Sequence, residues 1–590
     1  MKDKWRKGIA GLLLLPLLMS SAVPVYASED LLPSGIPAAG IGEAIEAYVD
    51  ENAATTAGMA VSVLNAEGTV YKNYFGYADI ENGIAVDENT VFEWGSATKM
   101  LVWVSVMQLY EQGLMDLEAD IRTYLPEGFL TNLKYDTPVT MLHLMNHTAG
   151  FQETFTDLFV KDADMAGMHS LEVALSSHEP AQLYEPGAYT AYSNWGVALA
   201  AFIVEQISGE RFDAYVHEHI LDPLGMEHSA IAPDLSDNSY VQEKRRELQC
   251  YTTEAELIPD CFYYLTVYPA GMCTSTLTDF ETFARALLNR DPVLLAQETW
   301  EQMFTPTNYY GDTELPVNYH GFWMIPFDVQ TIGHGGNTVG CSAYLLISPT
   351  EHIGVVVMTN QSNEEIYNEQ MMSLVFGEFS ETAYFDTARE MPSGMYRAAR
   401  TVRVGPLKLA SLSFLSGEWA ADECWDEVRT DDIHKICSAY SDYVEVPMPV
   451  FIWEFALFIL WITALVFSAL SLLVKLVRSV ICKRRHRDQK IVLGRWSAGA
   501  AGLQLLGLVL LGAAVSQAMG YAVASTYAWM FGAIGVLGIV MIVFSVYGAV
   551  GMVKRKSSRI RKIYNGTVLF LLISTVVNIG YWNLFMFWAL

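Results

Sequence analysis

Four long apolar stretches toward the C-terminus constrain this chain more than any other feature. About Phe451 to Val474, Ser497 to Ser516, Ala528 to Val550 and Thr567 to Ala589 are each long and apolar enough to cross a bilayer. A helix is the form such a stretch takes in lipid, because it satisfies its own backbone hydrogen bonds where water is absent. The connections set an orientation. Lys483, Arg484, Arg485, Arg487 and Lys490 separate the first two stretches, and Lys554, Arg555, Lys556, Arg559, Arg561 and Lys562 separate the last two. Basic loops stay in the cytoplasm, so the uncharged Gln517 to Tyr527 loop is expected outside, with both ends of the mature chain.

The N-terminus agrees. Lys2, Lys4, Arg6 and Lys7 precede an apolar stretch from Ile9 to Met19 and a small-residue exit at Val25-Tyr26-Ala27. This is the pattern of a secretory signal peptide over 1–27, cut after Ala27; the alternative is an uncleaved anchor. Either way the following residues are exported. A chain of 590 residues is too long for one core, and its boundaries fall at 28–379, 380–449 and 450–590. All but Asp3, Glu454 and Asp488 of the 66 acidic residues lie between 28 and 449, against half of the 36 basic ones. So acidic an exported region argues against nucleic acid as a partner and against lying on anionic lipid; it reads as a solvated surface.

Of the seven cysteines, Cys482 is expected in the cytoplasm and six outside. Short loops favour Cys250 with Cys261 and Cys424 with Cys437, leaving Cys273 and Cys341 to pair or stay free. No Cys-x-x-Cys, His-Glu-x-x-His or calcium-loop spacing occurs, so no metal or organic cofactor is expected. Ile41 to Ala53 has a helix pattern. Gly58 to Leu64 and Thr69 to Phe75 read as a hairpin around Asn65-Ala66-Glu67-Gly68, and Ala343 to Ile347 and Gly354 to Met358 as strands, followed by a helix near Glu364 to Phe376. Strands at both ends of the exported region, with helices between, predict an α/β (α+β) fold: a sheet completed by the two ends, a helical second lobe, and a cleft where they meet.

The stretch EWGSATKMLVWVSVMQLYEQG, residues 93 to 113, is an apolar helix pattern that opens on Gly95-Ser96 and holds a lone Lys99. Ser96 and Lys99 are i and i+3 and share a helix face. A serine at a helix start lies beside free backbone N–H groups suited to an oxyanion, and a desolvated amine gives up its proton more readily. The pair is suited to nucleophilic catalysis. Two more stretches strengthen the reading. YEPGAYTAYSNWGVALAAFIVEQISG presents Tyr192-Ser193-Asn194 between a Pro-Gly turn and an apolar helix, and IGHGGNTVGCSAYLLISPTEHIGVVVMTN places His334-Gly335-Gly336 on an edge strand.

Order, spacing and flanks of these three elements resemble the serine β-lactamase and penicillin-binding protein superfamily, in its class C-like branch. GLMDLEADIRTYLP, VTMLHLMNHTAGF, VHEHILDPLGMEHS and PAGMCTSTLTDFETFARALL resemble that branch's connecting segments, so the likeness covers roughly 38 to 378. It implies a β-lactamase/transpeptidase-like hydrolase domain over 28–379, with an antiparallel sheet flanked by helices, ahead of four transmembrane helices. It implies Ser96 as acylated nucleophile, Lys99 as its proton acceptor or electrostatic support, and Tyr192 as proton relay. Asn194 would bond Lys99 and the substrate amide. Gly335 and Gly336 would let substrate lie along the strand, and the N–H groups of Ser96 and Asn337 would form the oxyanion hole.

His334 departs from the lysine usual in β-lactamases and looks more like peptidase and esterase members. If it faces a substrate carboxylate, its help depends on protonation, and carboxylate-bearing substrates should fare worse than neutral esters. The alternative is a hydrogen-bonded strand residue packed sideways. His143 and His147 have the i, i+4 spacing of a metal pair, but no acid lies nearby, and the resemblance places them in a turn under the site. Residues 380–449 are open between a small β addition and a juxtamembrane stalk, with Trp419 and Trp425 near the lipid interface. Glu454 and Asn578, inside apolar stretches, read as packing or interface groups.

The function expected is that of a serine hydrolase tethered to a bacterial cell membrane, multi-pass, with its catalytic domain extracytoplasmic. It would act on D-alanyl peptides, esters or β-lactams of small-molecule or peptidoglycan type. The alternative is a sensor or scaffold that is acylated without useful turnover; the short cytoplasmic loops disfavour it.

Overall fold

Strand alternation builds the part of the chain before the apolar helices around two cores. The computed structural model describes residues 31–154, 156–161, 170–311, 314–379, 393–416, 435–484, 494–554 and 557–590. The signal peptide, Trp419, Trp425 and Cys424 lie outside them. After helix α1 (Ile41–Asn52), β1 (Gly58–Asn65) and β2 (Gly68–Asp79) form the expected hairpin, with Asn65 Oδ1 accepting from the N–H groups of Glu67 and Gly68 at 2.9 and 3.0 Å. The remaining strands of the main sheet are β3 (Ile84–Ala85), β4 (Asn308–Tyr309), β5 (Pro316–Tyr319), β6 (Phe322–Pro326), β7 (Gln330–Asn337), β8 (Ser342–Ser348) and β9 (Ile353–Thr359). Their order is β4-β5-β6-β7-β8-β9-β1-β2-β3, so β1 pairs antiparallel with β9, Met59 opposite Thr359, and both ends of the region complete one sheet. Successive side chains leave opposite faces. Met59, Val61 and Val63 therefore join Val355 and Val357 under α1, while Ala60 and Leu64 join Leu345, Val356 and Met358 against helix α4.

The helical lobe centres on α2 (Lys99–Glu111) and α3 (Asn194–Ser208), with α4 (Leu277–Asn289) bridging to the sheet. Met100 to Leu109 and Trp195 to Val204 are buried without a break, as befits helices apolar on every side. The helix expected near Glu364 to Phe376 shrinks to a 3-10 turn, Gln370–Met372, and one helical turn, Ser373–Phe376. The Glu364 carboxylate instead accepts from the Tyr367 and Asn368 N–H groups at 2.9 and 3.2 Å, holding the segment as a capped turn.

Cys250 and Cys261 are disulfide-bonded as their spacing favours, with Cα atoms 6.0 Å apart, while Cys273 and Cys341 are separate buried thiols. Residues beyond 392 form the small β addition rather than a bare stalk. Strands β10 (Met395–Ala398), β11 (Leu415–Ser416), β12 (Lys435–Ile436) and β13 (Tyr443–Val446) are ordered β11-β10-β13-β12.

Four helices long and apolar enough to span a membrane follow: α5 (Met448–Arg484), α6 (Arg495–Met519), α7 (Ala524–Lys554) and α8 (Arg559–Tyr581). The fourth ends earlier than the Thr567 to Ala589 stretch implied. After Tyr581 the chain turns back, with Asn583 at φ 56° and the Leu584 N–H donating to Ile579 O at 3.0 Å. Arg397 of β10 is ion-paired with Glu454 in the second turn of α5, and Tyr581 Oη donates to the same carboxylate at 2.7 Å. Asn578 donates to Ser574 O at 2.9 Å and accepts from Trp582 Nε1 at 3.0 Å. Glu454 thus ties β10, α5 and α8 together, whereas Asn578 bonds within α8 and to its C-cap Trp582. The sheet-and-helix part rests on one end of the bundle: Asp157 Oδ1 accepts from the Ala524 N–H at 2.7 Å, and the Phe159 and Tyr263 rings meet Tyr521 at 5.5 and 4.9 Å.

Candidate active site

Ser96 lies in a 3-10 turn, Gly95–Thr98, that runs straight into α2. Buried Trp94 pins the turn: its Nε1 donates to Ser275 Oγ and its backbone N–H to Cys273 O, both at 2.7 Å. Gly95 has φ +53°, where an L side chain is strained, and a Cβ there would fall 2.7 Å from the Asn337 nitrogen.

Lys99, the first residue of α2, is wholly buried. Its Nζ stands 2.9 Å from Ser96 Oγ and 2.5 Å from Ala270 O. The Tyr192 hydroxyl donates to the same Ser96 Oγ at 2.7 Å, and its ring centroid is 4.9 Å from Nζ. Burial pushes the Lys99 amine well below its ordinary pKa; the Arg400 charge acts the same way and Glu153 opposes both. Burial pushes the Tyr192 phenol up, with the bond to Ser96 and the Arg400 charge pulling partly back. The phenol is therefore harder to deprotonate than a free tyrosine, and the amine gives up its proton more readily than a free lysine. A neutral amine in this place can accept the Ser96 proton while it donates to Ala270 O, and the phenol donates to Ser96 Oγ. The hydroxyl has a base on one side and a proton donor on the other.

Asn194 is placed differently from expectation. Ser193 caps α3, its Oγ accepting from the Gly196 N–H at 3.0 Å, and Asn194 becomes the first helical residue with a half-buried side chain. Among the described residues, Lys99 is held by Ala270 O rather than by Asn194. A backbone carbonyl from a distant turn leaves no sequence signal.

The end of β7 lies directly on the serine turn. A Cβ on Gly336 would sit 2.0 Å from Trp94 O and 2.5 Å from the Ser96 nitrogen, so only glycine lets strand and turn abut. The backbone nitrogens of Ser96 and Asn337 are thereby neighbours, as a two-donor oxyanion site needs. Gly335 packs beneath Tyr344, whose ring a Cβ would meet at 2.2 Å, and the Asn337 side chain accepts from Ser342 Oγ at 2.6 Å.

His334 does not stand in the mouth as a cation. It is buried and stacked on Trp323, ring centroids 4.5 Å apart, with Nδ1 donating to Gly335 O at 2.5 Å. Burial, reinforced by the Lys99 charge, pushes its pKa down to about 3. The ring is thus neutral throughout the working range, and the ratio of acylation rates for a carboxylate-bearing and a neutral acyl donor should stay flat from about pH 5 to about pH 8. A ratio that falls with a midpoint near an ordinary imidazole pKa would remove the neutral assignment. His143 and His147 serve separate backbones: Nδ1 of His143 accepts from the Thr140 N–H at 3.1 Å, and Nδ1 of His147 from the Ser193 N–H at 3.3 Å. The His147 ring lies 4.5 Å from that of Tyr192.

Three neighbours of Tyr192 escaped sequence reasoning. Trp323 lies 5.5 Å from its ring centroid; Tyr440 and Arg400 come from the β addition. Periodicity marks a residue as buried or exposed, not which distant ring it faces.

The sheet-and-helix fold and a Ser-Lys-Tyr cluster against the end of β7, an interior strand of the sheet rather than the edge strand expected, are those of a serine hydrolase of the β-lactamase type. The family model Beta-lactamase matches residues 44–371, and the chain belongs to that family. It is 32% identical over 343 residues to a β-lactamase of Yersinia enterocolitica, covering 52% of this chain and 82% of that one. It is 25% identical over 337 residues to a penicillin-binding protein of Bacillus subtilis (strain 168), covering 54% and 72%. Among solved structures it is similar to the D-alanine carboxypeptidase AmpC from Burkholderia cenocepacia, at 21% identity and TM-score 0.45, covering 57% of this chain and 97% of that one.

Proposed function

We propose that this protein is a membrane-tethered, extracytoplasmic serine hydrolase that forms an acyl-enzyme at Ser96 and acts on D-alanyl peptides, esters or β-lactams. The observation that carries the reading is the double approach to Ser96 Oγ, by the Tyr192 hydroxyl at 2.7 Å and by the buried Lys99 amine at 2.9 Å. Lys99 takes the serine proton as Oγ attacks the acyl carbon, Tyr192 delivers a proton to the leaving group, and the Ser96 and Asn337 N–H groups hold the oxyanion. Water then attacks the acyl carbon and gives a proton to the Tyr192 phenolate, and Ser96 Oγ leaves the acyl group and takes back the proton held by Lys99. The likeness to a β-lactamase puts a penicillin first among the acyl donors to try.

The test is intact-mass spectrometry of the purified chain after exposure to a penicillin, an acyl-D-alanine thioester and a neutral aryl ester. An acyl adduct mapping to Ser96 with at least one is expected; no adduct on any serine would remove the proposal.

The topology is testable separately. The hydrolase part and the 520–523 connection share one end of the bundle, so reporter fusions after Met448 and after Leu590 should both read extracytoplasmic, and one near Asp488 cytoplasmic. A cytoplasmic reading at Leu590 would mean that an odd number of the four helices crosses.

A further inference from the structure

We infer that Arg400 and Tyr440, both outside the family-matched residues 44–371, are positioning residues that hold Tyr192 against Ser96, so that the catalytic centre is completed by the β addition. The inference rests on the assignment of Ser96 and Tyr192 given above.

The attachment begins in the backbone. The strand leading into Tyr192 is bridged to the loop before β13: Ala191 pairs with Ser441, the Tyr192 N–H donates to Tyr440 O at 3.0 Å, and the Asp442 N–H donates to Thr190 O at 2.9 Å. The Asp442 carboxylate returns the contact by accepting from the Thr190 N–H at 2.9 Å, and Lys435 Nζ neutralises it at 2.8 Å while donating to Ala188 O at 3.0 Å. The segment before the phenol is thus clamped by the addition along its length.

Side chains continue the clamp. The Tyr440 ring stacks on Tyr192 with centroids 5.0 Å apart and planes at 24°. The Arg400 guanidinium lies over both rings, 5.1 Å from the Tyr192 centroid and 4.6 Å from that of Tyr440. Arg400 is itself fixed: it is ion-paired with buried Glu153, and its backbone N–H donates to Ser441 Oγ at 3.0 Å. A stacked ring and a fixed cation over a π face restrain the phenol.

The restraint matters because proton delivery depends on Tyr192 Oη staying at its 2.7 Å distance from Ser96 Oγ. A drift of about 1 Å in such a contact costs about 100-fold in rate. The guanidinium also places a permanent positive charge where the phenol acquires negative charge as it gives up its proton. The same charge favours the neutral Lys99 amine. The titratable or charged groups around this pair are Glu153 and Arg400, which face each other, His147 and His334; both imidazoles are held neutral by burial. Arg400 is therefore the fixed cation of the group, balanced by Glu153.

The test uses the full chain in detergent and whichever of the three acyl donors labels Ser96 fastest. Replacing the ion pair as a unit, Arg400→Gln with Glu153→Gln, avoids stranding a buried carboxylate. Acylation should slow about 10- to 100-fold, as for a displaced catalytic group. The acid limb of the pH–rate profile should move to higher pH, because Arg400 outweighs Glu153 in lowering the Lys99 pKa. Arg400→Lys should recover part of the rate. Tyr440→Leu should slow acylation while leaving the acid limb in place, because it removes the stack and keeps the charge. A double variant that melts like the parent, with unchanged rate and limb, overturns the inference. If the double variant does not fold, an unchanged rate in Tyr440→Leu overturns it. Absence of labelling in the unaltered chain would overturn the hydrolase reading and this inference together, whereas labelling that ignores both substitutions overturns this inference alone.

Discussion

Ser96→Ala is expected to abolish covalent labelling by a serine-directed acyl donor, lowering any turnover by a factor on the order of 10⁴ or more. Both catalytic approaches converge on its Oγ, and no second hydroxyl occupies that position between Lys99 and Tyr192 among the described residues. The fold should survive. Ser96 is only half-buried, its removal deletes one oxygen, and water can reach the Lys99 amine and the Tyr192 hydroxyl in its place; the stability change should stay within about 1 kcal/mol. The check is intact-mass labelling alongside thermal melting. Full labelling of the alanine variant would move the nucleophile elsewhere.

Lys99→Ala should slow acylation by about 10²- to 10⁴-fold, the range of a lost general base, and Tyr192→Phe by a similar or smaller factor. The double variant should be far less than additive, because both groups act on one oxygen. Burial lowers the Lys99 pKa, so the amine is the competent neutral base from a lower pH upward than a free lysine would be. The parent rate should therefore fall as pH drops through that lowered pKa and the amine takes up its proton. Lys99→Ala should lose this acid limb as well as most of the rate. A Lys99→Ala profile that keeps the limb would assign the titration to another group. Rates across pH on one neutral ester suffice, since His334 stays neutral over that range.

Much of the site was legible because its signals are local. Ser96 and Lys99 share a helix face by spacing alone, Gly335-Gly336 announce a strand that something must approach closely, and the hairpin at Asn65 is set by a single Asx turn. Where local signals compete, the reading was less secure. Ser193 and Asn194 are both good caps, and the choice of Ser193 depends on which oxygen reaches the Gly196 N–H. The helix expected near Glu364 gave way to a turn because a buried carboxylate satisfied the backbone first. The fourth apolar helix runs Arg559–Tyr581 rather than Thr567 to Ala589, because hydropathy does not distinguish Trp582, folded back into the bundle, from a residue continuing the span.

The sequence by itself determined the four segments apolar enough to span a membrane, the sheet completed by the two ends of the region before them, and the approach of Lys99 to Ser96 on one helix face. Each follows from run length, period or spacing within one stretch of chain. Tertiary structure alone decided that Ala270 O holds Lys99, that His334 is stacked and neutral, and that Arg400 and Tyr440 lean on Tyr192 from beyond the hydrolase region. It also decided that Arg397, on the strand just before Arg400, pairs with Glu454 of the first apolar helix. These are contacts between residues far apart in sequence. Their energies depend on desolvation and on approach distances of a few ångströms, which periodicity does not encode and only the packed chain sets.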